Sequence, residues 1–145
     1  MSPVARPLIP DTCSLPPDPN PLTPVFWSIG NSGWYPHGED KALYDQQPIE
    51  AVTMADAAFA AFGLLNDRKY LATFRRARGW FYGENSLGQP LVDAACGACC
   101  DGLQASGVSR NQGAESTLAY LWTELHNFEV QQALGDERKQ AVARA

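Results

Sequence analysis

Residues 57–65 read AAFAAFGLL. A helix through that stretch is apolar on every side, so it offers no face to water and requires neighbours all round. The helix that contains it is predicted over residues 47–65. Pro48 sits in the first turn, where its missing N–H is no loss, and a polar stripe of Glu50, Thr53 and Asp56 fades before Ala57. Asn66 and Asp67 make a short turn, with Asp67 suited to cap a second helix. That helix, over residues 68–82, is of a different kind. Tyr70, Phe74, Ala77 and Phe81 share one face, while Arg68, Lys69, Arg75, Arg76 and Arg78 fill much of the rest. A buried helix joined by a tight turn to a one-sided helix is the pattern of an inner and an outer helix in a layered all-α fold.

The remaining segments are less regular. Residues 1–24 hold eight of the eleven prolines, which fixes an extended arm with little regular structure. Residues 25–46 are rich in turns and aromatic rings. Trp27, Trp34 and Tyr35 either form a lid on a core or a platform on which a flat ligand stacks. Residues 83–112 carry five glycines and no helical or strand period. A loop of that length in a compact domain is commonly functional, and Leu87, Leu91, Val92, Leu103 and Val108 speak for an ordered one. A third helix is predicted over residues 113–128, with Leu118, Leu121, Trp122, Leu125 and Phe128 on one face. Residues 130–145 are expected to be a weakly helical or disordered tail with little to bury. Three helices cannot surround the 57–65 stretch, so the expected architecture is a partial one.

Charge and cysteines narrow the function. A net charge of −5 argues against a nucleic-acid partner. No membrane span and no signal peptide are expected, hence a cytoplasmic location. Cys96, Cys99 and Cys100 crowd together and Cys13 stands apart, which is no disulfide framework. The Cys96–Cys99 spacing invites zinc, but a structural site wants a second, separated pair of ligands that this chain lacks. They are read as reduced, small buried thiols, with no metal and no cofactor. His37 and His126 are read as surface or satisfied core residues. No phosphate-binding loop, dinucleotide fingerprint or nucleophile elbow occurs.

Carboxylates cluster at two helix starts: Asp45 and Glu50 before and within the first helix, Asp101 and Glu115 around the third. Acids are favoured there by the helix dipole alone. Amides and acids are nevertheless dense in YDQQPIEA and RNQGAES, and such groups, with aromatic rings beside them, bind hydroxyl-rich ligands.

These segments also carry a family resemblance. The runs GWYP-x-G, YDQQPIEA, GWF-x-GEN-x-LG-x-PL-x-D, C-x-DGL and NQGAESTLAYL resemble the C-terminal α/α-toroid region of certain bacterial glycosyltransferase-like proteins, itself similar to the toroids of six-hairpin glycosidases and sugar epimerases. The similarity spans residues 25–128 or thereabouts. It departs from the family pattern at Ala98, Cys100 and Ser109. It implies a partial toroid over residues 25–129, about three helices of a larger ring, contributing a sugar-facing surface in glycan metabolism. Asp101, Glu115 and Glu50 become the candidate catalytic acids, and Trp34, Tyr35, Asp45, Gln46, Gln47, Asn111 and Gln112 the candidate sugar contacts. The expected partners are a glycan and the remainder of the toroid or a transferase domain. Whether the toroid is itself catalytic stays open. The alternatives are a non-catalytic interaction module attached to a transferase, and a small thiol-metal protein.

If the cysteines are small buried residues, Cys96→Ser and Cys99→Ala each cost about 1–2 kcal/mol, read from thermal melts. Stoichiometric zinc, lost with helix content in both variants, is the contrary result.

Overall fold

The computed structural model describes residues 25–143, the side chains at 137, 138, 140, 141 and 143 excepted. The proline-rich arm of residues 1–24, with Cys13, lies outside the described residues. The chain is mostly helical: α1 (Pro48–Leu65), α2 (Arg68–Phe81), a small antiparallel pair β1 (Gly102–Gln104) and β2 (Gly107–Ser109), and α3 (Ala114–Ala143).

Local chemistry explains the first two helices. Pro48 opens α1 behind an extended Gln47, and Asn66 closes it in a left-handed conformation, φ 49°, with its N–H returning to the Phe62 carbonyl at 2.8 Å. Asparagine tolerates that conformation better than most residues. One residue on, the Asp67 carboxylate accepts the Lys69 N–H at 2.9 Å and starts α2, an N-cap of the expected kind. α2 therefore runs back antiparallel along α1.

α3 returns in the direction of α1. Ala119 clusters with Ala51 and Val52, His126 meets Asp56, and Val130 clusters with Ala55 and Ala58. The contacts advance along both helices together, so α1 and α3 are parallel neighbours with α2 packed against them. The core splits into two parts. Near the start of α1, Trp80 and Phe81 pack on Leu91, Cys99 and Leu103 of the long loop. Farther along, Leu71 and Phe74 pack on the alanine face of α1 and on α3.

As three helices cannot surround it, the 57–65 stretch is left partly open: Ala58 is buried, but Leu64 is 85% and Leu65 63% exposed. α2 and α3 both approach α1 through Ala51, Ala55 and Ala58, and cover that side only. The leucine stripe of α3 likewise points outward. The covered face is Ser116, Ala119, Thr123, Val130 and Leu134, with small residues over its first part, where α3 comes close to α1. Finally, α3 does not fade after Phe128. Val130 and Leu134 are both buried against α1 and α2, and that burial offsets the cost of ordering the helix through Ala143.

The long loop is ordered, as expected, but contains strands the sequence pattern did not reveal. β1 and β2 pair with Leu103 opposite Val108, and single bridges join Gln46 to Leu103 and Val92 to Cys99. Gly102 is required by close approach: a Cβ there would lie 2.6 Å from the Gln46 carbonyl oxygen.

Leu134→Ala is expected to lower stability by about 2 kcal/mol, the low end for a buried leucine, read as a drop in the urea midpoint. A change near zero would mean that the end of α3 does not pack as described.

Candidate functional site

The N-terminal end of α1 gathers polar groups from three places in the chain. Residues 25–46 double back on themselves, Gly30 N–H donating to Ala42 O at 2.7 Å and Asn31 N–H to Asp45 O at 3.0 Å. That brings Ser28 and Lys41 beside Glu50 in the first turn of α1. Lys41 is only 8% exposed, and its ammonium donates to the Trp27 carbonyl at 3.0 Å. Glu50 lies close enough to feel Lys41 and Ser28. Burial nevertheless dominates, holding the Glu50 carboxyl above the usual carboxylate range and the Lys41 ammonium below its ordinary value. Ser28 and the Gln47 backbone lie within hydrogen-bonding reach of the Glu50 carboxyl, though Ser28 Oγ and Glu50 Oε2 are poorly aligned for a bond, and Trp27 Nε1 is buried without one.

Trp34 and Tyr35, in the same doubled-back segment, are exposed at 63% and 38%. Trp34 holds φ at +60°, a conformation that costs a bulky residue energy. Two backbone bonds impose it, Trp34 N–H to Gly30 O at 3.2 Å and Ala42 N–H to Trp34 O at 2.7 Å. The indole is thereby displayed to solvent rather than packed as a lid.

The other expected residues divide sharply. Gln46 is fully buried. Its carboxamide accepts from Trp80 Nε1 at 2.8 Å and donates to Leu43 O at 2.9 Å and Ser86 Oγ at 3.2 Å. With its amide committed internally, Gln46 is a structural pin and not a sugar contact. Gln47 and Asp45 are half-buried at the mouth of α1, and Gln47 makes no side-chain cap bond.

At α3, Asp101 accepts from the Gly113 N–H at 2.7 Å, the Ser116 hydroxyl at 2.7 Å and the Asn111 amide. These bonds, the Asn111 amide foremost, hold its carboxyl below the usual carboxylate range. A Cβ at Gly113 would lie 2.7 Å from the carboxylate, so glycine is needed for the approach. Asp101 is thus the cap of α3, supplied from the long loop, and Asn111 its donor. The role of Asp101 as a reacting acid is corrected accordingly. Gln112 is exposed and lies beside Asp93. Glu115 is exposed in the first turn of α3. Among the described residues, no hydrogen bond or ion pair joins Glu50 to Asp101 or Glu115.

The cysteines also separate. Cys99 is buried, its thiol pushed up to about 12 by burial, whereas Cys96 is exposed. The expectation of a buried Cys96 is therefore overturned, and Cys96→Ser should be nearly neutral. Among the described residues, no three His, Cys, Asp or Glu side chains converge on a point where an ion could sit.

Two features escaped the sequence. His126 Nε2 lies 2.8 Å from Asp56 Oδ1, short in distance but poorly aligned for a hydrogen bond, with Phe59 stacked on the imidazole at 4.2 Å. The pairing needs α1 and α3 side by side, which no local pattern reveals. A polar groove of about 420 Å³ also runs between α2 and α3, lined by Arg75, Tyr82, Glu84, Asn127 and Gln131 among others. None of the expected site residues lines it. No protein-family model matches this chain, and no curated protein matches it either.

Asp101→Asn should loosen the start of α3 by about 1 kcal/mol, as for loss of an N-cap. The depressed pKa sets the sign with pH. The stabilisation is present above the ordinary carboxylate range and is lost as pH falls through it. The variant should therefore show a shallower loss of stability with acid than the wild type, measured by melts from neutral pH downward.

Proposed function

We propose that this chain is a carbohydrate-active segment of an α/α toroid, of the kind attached to bacterial glycosyltransferases, and that it presents the N-terminal ends of α1 and α3 to a glycan. The observation that carries this reading is Glu50 at the N-terminal end of α1, a half-buried carboxyl with Ser28 and Lys41 beside it and its pKa raised by burial. A sugar hydroxyl both donates and accepts, so it suits a site that combines a carboxyl, a hydroxyl and an ammonium. The displayed rings of Trp34 and Tyr35 suit the apolar face of a pyranose. Parallel α1 and α3, with α2 packed against them, fit an inner pair and an outer helix.

Within that reading the acids take different parts. Glu50, held above the usual range by burial, is suited to give a proton to a leaving oxygen. Glycoside chemistry needs a second carboxylate across the reacting bond, and with Asp101 committed to α3, Glu115 is the remaining candidate. A second reading is a non-catalytic interaction module, favoured by the apolar helix faces left uncovered.

Glu50→Gln separates these. A carboxyl with a raised pKa contributes stability that is full below the ordinary range and lost as pH rises through the raised value. At neutral pH the substitution should therefore hold or raise the melting temperature, while abolishing glycan binding seen by saturation-transfer NMR. Glu115→Gln should cost no more than about 1 kcal/mol and weaken binding or turnover. Unchanged glycan binding in both variants would return these acids to ordinary helix-terminus roles and leave the interaction module.

A further inference from the structure

The polar groove between α2 and α3 has no part in the reading at the start of α1. Its volume of about 420 Å³ is that of a small-molecule site. One end is closed. There the Arg78 guanidinium donates to the Glu124 carboxylate at 2.7 Å and 3.0 Å and lies over the Tyr82 ring at 4.6 Å. α2 and α3 run antiparallel. Arg75, one turn back from Arg78, therefore faces Asn127 and Gln131, one and two turns on from Glu124.

The remaining polar groups of the groove are uncommitted. Among the described residues, the side chains of Arg75, Glu84, Asn127 and Gln131 make no hydrogen bond or ion pair. Glu84 reaches the groove because residue 79 is glycine. Its N–H donates to Gly79 O at 2.9 Å, and a Cβ at Gly79 would collide with its carboxylate. Gly79 is one turn from Arg75, so an acid and a base stand side by side without pairing.

We propose that this groove binds an acidic sugar, a hydroxyl-rich ring that carries a carboxylate. The planar fork of Arg75 matches a carboxylate, and Glu84 accepts from ring hydroxyls. The amides of Asn127 and Gln131 both donate and accept, as hydroxyls do. A free amino acid would also answer Arg75 and Glu84, but its ammonium only donates and leaves the amide N–H groups without acceptors.

The setting favours such a ligand. α2 carries Arg68, Lys69, Arg75, Arg76 and Arg78 and no acid, in a chain of net charge −5, and a local concentration of cations draws anions. Another helix is poorly suited to the groove, since packing over it would take the unpaired Arg75 and Glu84 out of water. By helical phase, Asn127 and Gln131 lie on a different side of α3 from the Leu118–Phe128 stripe.

The site is independent of Glu50, which does not line it, and the test keeps the two apart. Glucuronate and galacturonate are titrated into the full chain in the millimolar range and followed by NMR. Glucose and acetate stand for the two halves of the ligand, and glycine for the amino acid. The titrations are repeated on Arg75→Ala, Glu84→Gln and Glu50→Gln. Arg75 and Glu84 are exposed, so the fold is kept, and circular dichroism checks it. At least one uronate should bind about tenfold more tightly than glucose or acetate. Arg75→Ala should remove that advantage, Glu84→Gln should weaken binding, and Glu50→Gln should leave it unchanged. Binding lost in Glu50→Gln but kept in Arg75→Ala would overturn the groove and leave the α1 site standing. Failure of both uronates, equal affinity for glucose or acetate, or a preference for glycine would each overturn the proposal.

Discussion

The buried carboxamide of Gln46 ties together parts of the chain that have no other reason to meet. Its oxygen takes the Trp80 indole N–H from the end of α2, and its nitrogen serves Leu43 and Ser86. Its backbone exchanges two 2.9 Å bonds with Leu103 in the long loop. An amide has four hydrogen-bonding sites, and burying one is costly unless partners stand at fixed positions around it. The requirement works in reverse too. With Gln46 placed, the segment before α1, the end of α2 and the loop containing β1 must all close on the same point. The upper core of Trp80, Phe81, Leu91 and Leu103 forms around it.

That closure sets the two neighbouring helix starts on different terms. At α3 a loop carboxylate, Asp101, satisfies the free end of the helix and is itself satisfied three times over. At α1 the acid is Glu50, and burial raises its pKa against the opposing pull of Ser28, Gln47 and Lys41. The first arrangement commits its carboxylate to stability. The second keeps a carboxyl in a place that disfavours its charge. That contrast, more than the presence of acids at both ends, is why the sugar reading rests on α1.

The helix faces obey a size rule that the leucine pattern hides. α1 meets α2 and α3 through alanines, and α3 answers with Ala119 and Thr123. Close approach through small residues gains contact area where α3 meets α1, and the large side chains of α3 from Leu118 to Phe128 are left facing solvent.

Much of the chain was legible in its residues. The ends of α1 and α2 follow from Pro48, Asn66 and Asp67, since caps and turns act within a few residues of themselves. The start of α3, the ordered loop and the polar density at both helix starts could likewise be read directly. Only the tertiary structure could decide which side of each helix is covered. A period of 3.6 identifies an apolar stripe, but whether leucines or alanines form the seam depends on how closely the neighbours pack. Only the tertiary structure could assign the acids, because Asp101 becomes a cap through donors ten to fifteen residues away. Glu50 becomes unusual through burial, which outweighs the opposing pull of Ser28 and Lys41 from up to twenty-two positions before it. Local chemistry determined where α1 and α2 begin and end and where α3 begins; burial, which sums contributions from distant parts of the chain, determined how far α3 runs and what each polar group is left to do.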